Sequence, residues 1–238
     1  MRLTQRGAVL LGIVVSLIAP GAAWATAQTP DVLLMNDREY SILTNPLEPF
    51  LALQPEKRPT SEITSTGLWR RYLATWTIDA GRLNLSKIEI LEQKHTDDDS
   101  FETEYRDVTN VVFPGQRVVL ADWFSGHIVI PTGKLVEYVH MGYASTYKKY
   151  LLLRVEHGVV VKECRLKREQ FEAFRDAQFA AFAQTSQYQA EVEEMKKNGK
   201  RTDEEIRSFL AKYYSGQYLT TIFGDDASTC SWTQAAKQ

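Results

Sequence analysis

WTIDAGRLNL, residues 76–85, reads as two strands joined by a tight turn, with β-branched and aromatic residues on both sides of Asp79-Ala80-Gly81. The template recurs as IPTGKL (130–135) and VEHGVV (155–160): a β-branched residue, two turn residues, Gly, then a further apolar run. A three-residue loop of this kind is a type I turn followed by Gly in the left-handed region, which makes a bulge. Gly81, Gly133 and Gly158 then take the positive φ that other residues resist. Three hairpins predict at least six strands within the β-rich stretch 67–165. Their unequal spacing excludes a solenoid or propeller.

The turn type also places the histidines of SGHIVIPTGKLVEYVHMGY (125–143). A three-residue loop pairs Ile130 with Lys134, so His127 is expected opposite Glu137 and His140 opposite Phe124. Side chains alternate along a strand, so the two histidines fall on opposite faces. The expectation is a cross-strand His127–Glu137 pair rather than a shared metal site.

Outside this region the pattern changes. Residues 26–66 are turn-rich, with Pro30, Pro46, Pro49, Pro55 and Pro59, and predict one strand pair and a short helix near Leu47–Leu53. From 166 onward the chain is helical and charged. Phe171, Phe174, Phe179 and Phe182 share one face of a helix that stops at Asn198-Gly199. Thr202-Asp203-Glu204-Glu205 is a capping box opening a second helix, with Ile206, Phe209, Leu210 and Tyr213 on its apolar side. The expected fold is α+β: an antiparallel meander over 26–165, with a two-helix hairpin and tail (166–238) packed on it.

Residues 1–25 read as an export signal. Arg2 and Arg6 precede the apolar run GAVLLGIVVSLIA (7–19), and Ala23-Trp24-Ala25 fits a small-x-small cleavage site. A membrane anchor is the competing reading, but the run is shorter than the roughly 20 residues that span a bilayer. With 28 basic and 30 acidic residues the chain is near neutral, which gives no reason to expect a nucleic-acid partner. The mature chain is expected in the periplasm, with no membrane span. Export bears on the two cysteines, Cys164 and Cys230, because an oxidising compartment favours their pairing. A buried Cys164 with an unpaired or intermolecular Cys230 is the alternative.

Chemistry-bearing motifs are sparse. KHTDDDSFETEYRD (94–107) is rich in oxygen ligands, but lacks the Gly and the spaced Glu of a calcium-binding EF-hand loop, so it reads as a solvated loop. Ser125-Gly126-His127 lacks a nucleophile-elbow pattern, and no phosphate loop, HExxH or CxxC occurs. Trp69-Arg70-Arg71-Tyr72, with Trp76 and Trp123-Phe124, has the composition of an interface anchor. The same rings could equally fill a core.

NPLEPF (45–50), STGLWRRYLATWTIDAGRLNL (65–85) and WFSGHIVIPTGKL (123–135) together resemble a family of bacterial proteins without an assigned activity. Its pattern is a Pro-Leu-Glu-aromatic segment, then Trp-Arg-Gly-Tyr, then a strand–Gly–strand hairpin. Arg71 stands where that pattern has Gly. The resemblance spans roughly residues 38–162 and implies no catalytic residues.

The sequence therefore predicts an exported, non-catalytic binding protein that engages a protein partner and needs no cofactor or metal. Trp69, Arg70, Arg71, Tyr72, Trp123, His127 and Glu137 are the candidate binding residues. The alternative is a hydrolase of cell-wall or glycan material that works through carboxylates.

Overall fold

A computed structural model of the chain describes residues 27–96, 100–197, 199, 201–223 and 230–235. The expected signal segment 1–25, the Asp97–Asp99 stretch and the stop at Asn198 lie outside the described residues. The chain opens with β1 (Asp31–Met35) and β2 (Arg38–Ile42), then α1 (Glu48–Leu53) and a single 3-10 turn at Pro55–Lys57. Next come β3 (Leu73–Asp79), β4 (Arg82–His95), β5 (Phe101–Asp107), α2 (Thr109–Val112), β6 (Val119–Leu120) and β7 (Gly126–Pro131). β8 (Leu135–Glu137) and β9 (Thr146–Tyr147) precede the long pair β10 (Lys149–Glu156) and β11 (Val159–Lys167). The helices α3 (Arg168–Phe182), α4 (Ser186–Lys197), α5 (Asp203–Tyr213) and α6 (Ser215–Tyr218) follow, then β12 (Thr233–Gln234).

The fold is α+β around one large, mostly antiparallel sheet in the order β2-β1-β3-β4-β11-β10-β7. It is not a plain meander, because β1 and β3 run parallel, with Val32 opposite Thr75. The sheet curls until its ends meet: the Leu43 amide, just past β2, donates to the Val129 carbonyl of β7 at 2.8 Å. Closure of this kind removes two exposed edges.

Two of the three expected hairpins form, with a tighter turn than the sequence suggested. Asp79 pairs with Arg82, and Glu156 with Val159, so each loop has two residues. Ala80 (φ 48°) with Gly81 (φ 73°), and His157 (φ 46°) with Gly158 (φ 75°), all lie in the left-handed region. This is type I′ geometry, whose twist matches that of the flanking strands, and that match outweighs the cost of left-handed Ala80 and His157.

The third hairpin does not form. β7 is paired by β10 on one side and meets Leu43 on the other, which leaves no edge for β8. The Thr132 and Gly133 amides donate instead to the Lys149 carbonyl, and β8 pairs with β9 in a separate two-stranded sheet. His127 therefore lies opposite Arg154, not Glu137, which is exposed on β8.

Alternation along β7 separates two cores. Ile128 and Ile130 point inward with Leu33, Trp76, Leu85, Leu151 and Leu153. Val129 points outward, with Leu152 and Leu166, onto Phe171, Phe174, Phe179 and Phe182 of α3. The phenylalanine face thus covers the sheet. The helical part, however, is more divided than the expected hairpin. Thr185 Oγ1 donates to the Phe182 carbonyl at 2.7 Å and accepts the Tyr188 amide at 3.1 Å, ending α3 and capping α4. The capping box at Thr202 forms as expected: Thr202 Oγ1 accepts the Glu205 amide at 3.2 Å, and Glu205 accepts the Thr202 amide at 2.7 Å.

Cys164 and Cys230 form a disulfide with Cα atoms 6.2 Å apart. It fastens the tail where β12 pairs with β11, and Trp232 stacks on the His127 ring with centroids 5.9 Å apart. Loop-closure entropy for this 66-residue separation is worth on the order of 4 kcal/mol. Reduction, or the Cys164→Ala/Cys230→Ala double substitution, is expected to lower the unfolding free energy by about that amount in urea titrations. An unchanged midpoint would show that the bridge contributes nothing.

Candidate functional site

Asp31, the first residue of β1, is wholly buried, and an aspartate there requires partners. It has three. Arg70 Nη2 and the Ala74 amide donate to Oδ1 at 3.0 and 3.2 Å, and Trp76 Nε1 donates to Oδ2 at 3.3 Å. Burial raises the Asp31 pKa, opposed by the Arg70 charge and these hydrogen bonds. Burial also works against the Arg70 cation, but Asp31 together with Tyr143 and Tyr72 outweighs it and holds the guanidinium firmly charged. Arg70 also donates through Nη2 to the Thr29 carbonyl at 3.1 Å and through Nη1 to the Tyr143 hydroxyl.

From Arg70 the polar contacts run toward the helices. Tyr143 donates to Asn45 Oδ1 at 2.9 Å, the Asn45 amide donates to Thr220 Oγ1 at 3.0 Å, and Thr220 donates to the Gly216 carbonyl. A Cβ on Gly216 would lie 2.6 Å from the Tyr143 ring, so only glycine lets α6 sit this close. Beside this line, Arg58 holds Glu48 in a bidentate pair at 3.0 and 2.8 Å, and the Tyr72 hydroxyl donates to Glu48 at 2.8 Å. Burial would raise the Glu48 pKa, but Arg58 and Tyr72 more than offset it and keep it below the ordinary value.

Above this floor opens a cleft of about 620 Å³. One wall carries Glu48, Arg58, Trp69 and Arg70; the other carries Gln187 and Glu191 of α4, Tyr214, and Gln217 and Thr221 at α6. The Tyr214 hydroxyl donates to Glu191 at 3.0 Å. The volume lies within the range of small-ligand sites, roughly 300–1,000 Å³.

The expected binding residues are dispersed rather than gathered. Trp69 is 51 % exposed at the cleft. Tyr72 is wholly buried, and Arg70 shows only a sliver of its side chain at the cleft floor, too little to engage a protein surface. Arg71 is exposed, with its Nη1 donating to the Ser61 carbonyl at 3.2 Å. Its φ of 65° is left-handed geometry, which glycine adopts more readily than arginine. Trp123 is half-buried against Phe50 and Phe113 and donates to the Pro46 carbonyl at 3.0 Å. His127 is fully buried beneath Phe174 and Trp232, while His140 is exposed against Tyr138. Among the described residues no three His, Cys, Asp or Glu side chains are placed to hold a metal ion.

The sequence reading missed Asp31, Asn45, Glu48, Arg58 and Tyr143. The one local hint was Asp31, a charge at the head of the apolar run VLLM. Compared with protein-family models, with curated proteins and with solved structures, the chain matches none of them.

Because the Glu48 pKa is lowered on folding, its contribution to stability is present above the unfolded value of 4.5 and is lost as pH falls through the folded value. The stability difference between wild type and Glu48→Gln, followed by urea unfolding, is expected to be largest near neutral pH and to shrink below about pH 4. A difference that grows on acidification would contradict the pairing.

Proposed function

We propose that the chain is an exported periplasmic protein that binds and sequesters another protein without covalent chemistry. The observation that carries this reading is the state of the cleft carboxylates. A two-carboxylate hydrolase needs one acid that stays protonated near neutral pH and can reach substrate. Glu48 is shifted the other way by Arg58 and Tyr72, Asp31 is sealed beneath Arg70, and Glu191 on the opposite wall accepts the Tyr214 hydroxyl rather than donating a proton. An intramolecular disulfide suits an oxidising compartment, and no helix among the described residues is long and apolar enough to cross a membrane.

The exposed Trp69 and Arg71 flank the buried Arg70, so one short turn presents an aromatic ring and a cation on a rigid base. Trp and Arg are the side chains that most often dominate the energetics of protein interfaces. The Arg71→Gly substitution separates binding from folding, because it removes the cation and relieves the left-handed backbone. It is expected to raise stability by about 0.5–1 kcal/mol while weakening capture of a protein partner from periplasmic extract. Failure to capture any partner, together with turnover of peptidoglycan, would overturn the proposal.

A further inference from the structure

We infer that the cleft between α1 and α4 is a binding site for a neutral polyhydroxylated ligand, a short saccharide. The inference goes beyond the partner-binding proposal and does not depend on it. Its first support is an unanswered donor in the floor. Arg70 lines the cleft, its side chain is 5 % exposed, and its Nε is buried without a hydrogen-bond partner. Buried donors are rarely left so, because each costs desolvation free energy that only an acceptor returns. No oxygen-sized atom can touch the Nε as the side chain stands, so a polar ligand gains this donor only through a small shift of Arg70 toward the cleft.

The second support is charge. Arg58 is matched by Glu48 and Arg70 by Asp31, while among the described residues the Glu191 carboxylate meets only the neutral Tyr214 hydroxyl, so the lining carries no spare positive charge. Phosphate or carboxylate ligands need a cation that is not already compensated, and this lining offers none. A purely apolar ligand would take the Gln187, Gln217 and Thr221 polar groups out of water without pairing them. The remaining groups are neutral: the amides of Gln187 and Gln217 and the Thr221 hydroxyl, each able to donate and accept. Asn45 spends its Oδ1 on Tyr143, which leaves its Nδ2 donors for a ligand. Hydroxyl groups, which also donate and accept without charge, are the matching chemistry.

The third support is Trp69. Its half-exposed indole is an apolar plate at the cleft, beside Pro49 and Ala52. A sugar ring has a face of C–H groups with hydroxyls around its edge, so it can lie on an indole while its rim reaches the amides.

The test is calorimetric titration of the purified mature chain with triacetylchitotriose and with maltotriose, using trialanine as the comparator. At least one saccharide is expected to saturate a single site and to quench tryptophan fluorescence. Trp69→Ala should weaken it about tenfold. Gln187→Ala, an exposed position that leaves the fold alone, should weaken it in the same direction, whereas Arg71→Gly should not. The inference is overturned if neither saccharide saturates, if trialanine alone does, or if saccharide binding survives both cleft substitutions unchanged. Loss of partner capture in Arg71→Gly with saccharide binding retained would support the cleft site as independent of the Arg71 cation.

Discussion

The ion pair between Asp31 and Arg70 excludes water and ties the start of β1 to the residues that enter β3. These are the two strands that run parallel, and a parallel pair cannot be registered by a tight hairpin. Asp31 supplies what a turn would have: it accepts from Ala74 and Trp76 on β3 while it holds Arg70. Desolvation of two buried charges roughly cancels their attraction, so the pair adds little net stability over an apolar replacement. Its contribution is position. Loss of one partner strands the other, at a cost of about 3–5 kcal/mol.

The same pair sets the geometry of the cleft. Arg70 reaches Tyr143, Tyr143 reaches Asn45, and Asn45 reaches Thr220, so the helical cover is registered on the sheet by polar contacts as well as by the phenylalanine face. A buried line of hydrogen bonds of this kind favours one arrangement, because each link broken leaves a further group unsatisfied. The disulfide anchors the tail on β11, on the sheet face that carries Leu152 and Leu166, and so completes the second core.

Features encoded within a few residues were legible in the sequence. The Thr202 capping box, the aromatic face of α3 and the hairpins at Gly81 and Gly158 depend on local chemistry alone. The cysteine pairing was legible because only two cysteines exist. IPTGKL carried the same signal as its neighbours and misled, since strand pairing is decided by which edges are open, and both edges of β7 were taken. LNLSKIEI (83–90) held a subtler clue: the apolar residues Leu83, Leu85, Ile88 and Ile90 lose alternation once, where β3 and β4 shift register. Trp69-Arg70-Arg71-Tyr72 could not be parsed because Arg70 finds its carboxylate 39 residues away. Burial of a charge is decided by such distant partners.

The most direct test of this account is a double-mutant cycle on Asp31→Ala and Arg70→Met, with unfolding free energies from urea titration. Each single substitution is expected to destabilise strongly. The double substitution should cost less than the two singles combined, leaving a coupling of about 2–3 kcal/mol. Additive losses would mean that the two residues act independently, and the buried pair would then not be what registers β1 against β3.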